Sequence, residues 1–110
     1  MKKVLFVCGY NRLRSPTAEQ VFSSYPEIEV DSAGLNHDAN VPLTPKLVQW
    51  ADMILVMEKE HLAKIRQKFK AQLKNQKLIS LDIPDEYEYM DPKLVEILKK
   101  KVTPFLKGTS

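Results

Sequence analysis

Four short apolar runs, KVLFV (3–7), IEVDS (28–32), MILVM (53–57) and KLISL (77–81), alternate along the chain with longer segments of helical period. Parallel strands need long crossovers, usually helical, so this alternation predicts a parallel sheet covered by helices. KVLFV and MILVM are almost continuously apolar, as central strands buried on both faces should be. Right-handed crossovers then give an α/β fold: an open twisted four-stranded parallel sheet with helices on both faces, and ligands at the carboxyl ends of the strands. A length of 110 residues fits one domain, 1–110, with a single core.

The first helix is predicted to start at Ser15 and Pro16, with the hydroxyl as cap and Ala18, Val21, Phe22 and Tyr25 on its apolar side. A short second helix starts at Thr44 and Pro45 and includes Leu47, Val48 and Trp50, with Trp50 expected in the core. The third spans about 58–75, with Leu62, Ile65, Phe69 and Leu73 toward the sheet and the lysines toward water. Asp91 as cap and Pro92 as first residue open the last helix, which is expected to end near Leu106 before Gly108.

The balance of 44% hydrophobic and 28% charged residues is that of a globular protein. No apolar stretch approaches the length of a membrane span, and the N-terminus lacks the apolar core of a signal peptide, so a cytoplasmic location without a membrane partner is expected. A single cysteine rules out an internal disulfide. The net charge of +3 is unevenly spread: residues 59–77 are rich in Lys and Arg, whereas 82–91 carry Asp82, Asp85, Glu86, Glu88 and Asp91. Both read as solvated faces, and the basic run lacks the interleaved aromatics of a base-stacking platform, so no nucleic-acid partner is expected. His37 and His61 lie far apart without ligand spacing, so no metal and no cofactor are expected, and His61 is assigned to the surface.

Cys8 closes the first strand, GYNRL follows, and Arg14 and Ser15 open the helix. A loop that leads from a strand end into a helix N-terminus builds anion sites from backbone amides. The thiolate is the nucleophilic form of cysteine, and helix N-termini and cations favour it. The Arg14 guanidinium has the planar fork that grips two oxygens of a tetrahedral dianion. Ser15 sets a hydroxyl beside Cys8, Asn11 suits left-handed backbone, and Gly9 permits close approach. Gly9, Tyr10, Asn11, Arg12, Leu13 and Ser15 are therefore candidate substrate-binding residues, with Cys8 and Arg14 as catalytic candidates. The plainer alternative is a buried small hydrophobe followed by a surface arginine.

VLFVCGYNRLRSPTAEQVF resembles the opening of the low-molecular-weight protein tyrosine phosphatases: a cysteine, five residues, Arg-Ser-Pro, then Ala-Glu, with asparagine three after the cysteine. VDSAG resembles that family's second strand, whose serine (here Ser32) helps hold the loop asparagine, and ADMILVMEKEH resembles its third strand. The resemblance implies a metal-free phosphate monoester hydrolase acting through a cysteinyl phosphate. Its expected partners are a phosphorylated protein or small aryl phosphate, with inorganic phosphate or a similar oxyanion in the loop.

The resemblance also implies a general acid in an Asp-Pro-aromatic stretch after the fourth strand, and LDIPDEYEYMDPKL offers three aspartates. Asp85 has the preceding proline and the aromatic Tyr87 two residues on, and is taken as the acid. Asp91 has a following proline but also a role as helix cap, and Asp82 lies closest to the strand end. Tyr87 and Tyr89 form either an aromatic wall of the site or amphipathic packing.

The chain is shorter than the usual family member between Ser32 and Met53, with no flanking aromatic there. Tyr10 replaces a frequent glycine and Leu13 a frequent second cysteine. Lack of further cysteines excludes an internal relay for arsenate reduction, and Arg14 argues against a phosphocarrier. A catalytically weak phosphate or phosphoprotein binding module on the same fold remains the alternative function.

Overall fold

The computed structural model describes residues 2–107. Its elements are β1 (Lys2–Cys8), α1 (Arg14–Phe22), β2 (Ile28–Gly34), α2 (Pro45–Trp50), β3 (Met53–Val56), α3 (Lys59–Lys68), a 3₁₀ turn (Lys70–Gln72), β4 (Lys77–Ser80) and α4 (Pro92–Lys107). The strands form one parallel sheet in the order β2-β1-β3-β4, the expected α/β architecture with β1 and β3 central. Cys8 pairs with Gly34 at one edge of β1, and Val7 with Val56 at the other.

The alternation of side chains along β1 decides which way the cysteine faces. Val4, Phe6 and Cys8 point into a core closed by α1 and α4, where Phe22, Leu94 and Leu98 are fully buried. Leu5 and Val7 point into a second core, with Val48 of α2 and Ile65 of α3. Both faces of β1 are thus dry, which is why its sequence runs unbroken in apolar residues. Phe6 stacks on Phe22 at 5.7 Å between ring centroids, and burying each ring contributes about 1.5–3 kcal/mol. That packing fixes α1 against β1 and therefore fixes the loop between them.

Several boundaries differ from the sequence expectation. Helix α1 starts at Arg14, and the residue before it, Leu13, makes no side-chain capping bond. Ser15 is not the cap, because its hydroxyl is buried and engaged at Cys8. Helix α3 ends at Lys68 rather than near residue 75: Phe69 leaves helical backbone (φ −120°, ψ 29°), its amide donates to the Ile65 carbonyl, and a 3₁₀ turn follows. Leu73 still reaches the same core beyond that turn. Thr44 caps α2 as expected, accepting from the Leu47 amide at 3.2 Å. Trp50 is only half-buried at the margin of the second core. Asp91 Oδ1 accepts from the Lys93 amide at 2.9 Å, in keeping with its capping role, and α4 runs on through Pro104 to Lys107. Gly108 lies outside the described residues. Against the surface position expected for it, His61 is 5% exposed, with Nε2 turned toward Glu58. Among the described residues no helix is long and apolar enough to cross a membrane.

Candidate active site

From β1 the chain crosses to β2 on one side and then to β3 on the other, so the sheet reverses direction at β1. The crevice at such a reversal, beyond the carboxyl ends of the strands, is where doubly wound sheets bind ligands. Cys8 stands there, 3% exposed.

The loop after Cys8 is held from outside by the segment that follows β2. The amides of Leu35, Asn36 and Asn40 donate to the carbonyls of Cys8, Gly9 and Tyr10 at 2.9, 2.9 and 3.0 Å. These bonds need near-contact of two backbones, and Gly34 permits it: a Cβ there would lie 2.5 Å from the Ala39 Cβ and 2.8 Å from the Gly9 carbonyl oxygen. With its carbonyls engaged outward, the loop turns donors inward, and the Asn11 amide points at Cys8 Sγ at 3.2 Å.

Asn11 adopts the left-handed backbone expected of it, with φ 56°. Its side-chain amide donates to both Ser15 Oγ and Ser32 Oγ at 2.9 Å. Ser32 in turn donates to Glu19 Oε1. Ser15 Oγ accepts from Asn11 and lies 2.9 Å from Cys8 Sγ, in hydrogen-bond contact, with the Ala33 carbonyl as a longer acceptor at 3.5 Å. The chain from Glu19 through Ser32, Asn11 and Ser15 therefore ends at the Cys8 sulfur, which the Asn11 amide also reaches.

Arg14 is 5% exposed at the first turn of α1. Its Nη1 donates to the Ile83 carbonyl at 2.8 Å and pairs with Glu58 Oε2 at 2.9 Å, and its Nε lies 3.6 Å from Asp85 Oδ1. Burial pushes the Glu58 pKa up, but the hydrogen bond and charge of Arg14 outweigh it, and the carboxyl is held below its ordinary value. His61 Nε2 is 3.7 Å from the same Glu58 oxygen, and its Nδ1 has no hydrogen-bond partner among the described residues. Burial pushes the His61 pKa down against the opposing pull of Glu58, so the ring stays neutral at neutral pH.

Cys8, Tyr10, Arg12, Leu13, Arg14 and Asp85 line a depression of about 190 Å³. Asn11 and Ser15 are buried behind it, and Gly9 meets the Asn36 side chain. Of the three aspartates, Asp85 faces Cys8 and Arg14 across this space. Asp82, in left-handed backbone (φ 54°), accepts from the Ser80 hydroxyl at 2.7 Å and borders a different depression with Lys59 and Glu60. Tyr87 is half-buried against the α1/α4 core rather than lining the depression, and Tyr89 is exposed. The loop carrying Asp85 is tied to α1 by the Met90 amide, which donates to Thr17 Oγ1 at 2.9 Å.

Sequence reasoning quoted Glu19 and Glu58 within its motifs but gave no role to either, nor any contact to the 35–40 segment. Glu58 had a usable signal: it lies two residues past the end of the central strand β3, at the edge of the sheet where Cys8 closes β1. Glu19 lies one helical turn past Ser15, on the side of α1 that faces Ser32.

A buried cysteine and arginine closing one loop at a helix N-terminus are the arrangement a cysteine-dependent phosphatase uses. Residues 3–49 match the family model described as low molecular weight phosphotyrosine protein phosphatase, which bears out the resemblance read from the sequence. Solved structures share the fold over nearly the whole chain. SP-PTP, a low molecular weight protein tyrosine phosphatase from Streptococcus pyogenes, has a TM-score of 0.80 at 18% identity, covering 100% of this chain and 94% of its own. YwlE arginine phosphatase from Geobacillus stearothermophilus has 0.77 at 21%, covering 98% and 94%. Wzb of Vibrio vulnificus, in complex with benzylphosphonate, has 0.76 at 24%, covering 97% and 98%. No curated protein sequence matches the chain.

Proposed function

We propose that the protein hydrolyses aryl phosphate monoesters, above all phosphotyrosine in proteins, through a phosphate ester of Cys8. The observation that carries this reading is the convergence on one depression of the Cys8 sulfur, the Arg14 guanidinium and the Asp85 carboxyl. Cys8 lies at its floor, so a long flat side chain suits it better than a short one. The Cys8 thiolate attacks phosphorus, forming the S–P bond as the bond to the aryl oxygen breaks. Arg14 uses Nη1 on Glu58 and Ile83, which leaves Nε and Nη2 as the fork for two phosphate oxygens. The incoming phosphate takes Arg14 over from Asp85, and Asp85 in its acid form gives its proton to the leaving oxygen. In the second step Asp85 takes a proton from water, the new O–P bond forms, and phosphate leaves with Cys8 restored as thiolate.

Benzylphosphonate in Vibrio vulnificus Wzb and phosphate in the Wzb of Escherichia coli K30 support oxyanion binding by this fold. A YwlE arginine phosphatase variant with a phosphorylated active-site serine supports a covalent step. A thiol nucleophile must stay reduced, which suits the cytoplasm.

Asp85→Asn is expected to lower kcat for an aryl phosphate by about a hundredfold, the ordinary worth of a positioned acid. Asp82→Asn and Asp91→Asn should each stay within about threefold of wild type, since neither faces the depression. Steady-state hydrolysis of the three variants decides the acid, and an unchanged Asp85→Asn would remove it from the mechanism. A wild type that binds phosphate without turnover would assign the fold to a phosphate-binding module instead.

A further inference from the structure

Arg12 is exposed yet held in one place. Its guanidinium lies 5.1 Å over the centroid of the Tyr10 ring, its Nε donates to Asn40 Oδ1 at 3.3 Å, and its Nη2 reaches the Asp38 carbonyl at 3.5 Å. None of these partners is a carboxylate, so the positive charge is uncompensated, while the remaining N–H groups are open to a further acceptor. Tyr10, 46% exposed, supplies the only aromatic face among the described residues lining the depression over Cys8. The opposite wall is negative: Asp85 lines the depression, and the exposed Glu86 and Glu88 follow it. The lining therefore has a cationic aromatic part at Tyr10 and Arg12 and an acidic part at Asp85, which the exposed Glu86 and Glu88 extend along the chain.

We propose that Arg12, fixed over Tyr10, docks a carboxylate next to the phosphorylated residue, so that the protein selects phosphopeptides with an acidic neighbour. The inference rests on the phosphatase reading above and narrows its substrate class. The guanidinium is already ordered by Tyr10, Asn40 and the Asp38 carbonyl, so a carboxylate gains a planar charged partner without paying again for ordering a long side chain. The acidic wall repels the same carboxylate, which leaves the Arg12 side as its place. An exposed pair of this kind is modest in strength and sensitive to salt.

The test uses two phosphotyrosine peptides of equal length, one with glutamate on each side of the phosphorylated residue and one with glutamine. Wild type should favour the glutamate peptide in kcat/KM by about three- to tenfold at low ionic strength, and by less in about 0.5 M salt. Arg12→Gln should bring the ratio to one or below, and Arg12→Glu should invert it. A wild-type ratio of one, or a ratio that survives Arg12→Gln, overturns the proposal while leaving the phosphatase reading intact. If wild type hydrolyses neither peptide, the phosphatase reading falls. The same ratio, read as dissociation constants on the Cys8→Ala variant, then supports Arg12 docking at three or more and overturns it at one.

Discussion

Cys8→Ser is expected to lower turnover of an aryl phosphate by at least about a thousandfold. Serine fits the cavity, since it is smaller than cysteine and can keep the hydrogen bonds to Ser15 and the Asn11 amide. What it lacks is an easily formed anion, so the attacking atom is a neutral hydroxyl instead. The variant should fold as wild type does and still bind inorganic phosphate, because Arg14 and the loop are unchanged. Parallel measurement of kcat, phosphate affinity and thermal unfolding separates the loss of a nucleophile from the loss of a site. A serine variant within tenfold of wild type would mean that the chemistry runs elsewhere.

Arg14→Lys is expected to cost about a hundred- to a thousandfold in kcat/KM. Lysine retains the charge that Glu58 needs beside it, so the partly exposed carboxylate keeps a cationic partner that Arg14→Ala would remove. It cannot, however, bond the Ile83 carbonyl and Glu58 through one nitrogen while presenting two others to a phosphate. The loss should fall on kcat more than on KM, because charge on the equatorial oxygens has to be held through the transition state. Equal kinetics for lysine and arginine would show that the planar fork is irrelevant, and the role given to Glu58 in orienting it would fall too.

The sheet was legible because its physics is written locally. KVLFV and MILVM are apolar on both parities, and both faces of β1 and β3 are buried. The cysteine loop was legible because its residues are contiguous and each has its own chemistry: Asn11 takes left-handed backbone, and Ser15 and Arg14 meet Cys8 within one turn. What escaped were partners set by tertiary approach. Nothing in the neighbourhood of Glu58 states that Arg14 lies 2.9 Å away, since the two meet only when β3 pairs with β1. His61 looked like a surface residue among lysines, yet its position on α3 turns it under the strand ends toward Glu58. The excess length given to α3 had a similar origin: a 3₁₀ turn keeps Leu73 on the apolar side, so spacing alone could not mark where the α-helix stops. Tyr87 lies two residues from Asp85, and that nearness did not make it part of the wall.

Trapping the intermediate tests the account most directly. Asp85→Asn, lacking the base for the second step, is mixed with an excess of an aryl phosphate whose phenolate leaves without protonation, so that the first step does not need the missing acid; the mixture is quenched, digested and mapped by mass spectrometry, while the released phenol is followed in parallel. The account predicts a burst of phenol stoichiometric with enzyme and one phosphoryl group on the peptide containing Cys8. Turnover with no phosphoryl group on Cys8, or with phosphate on any other residue, would contradict it.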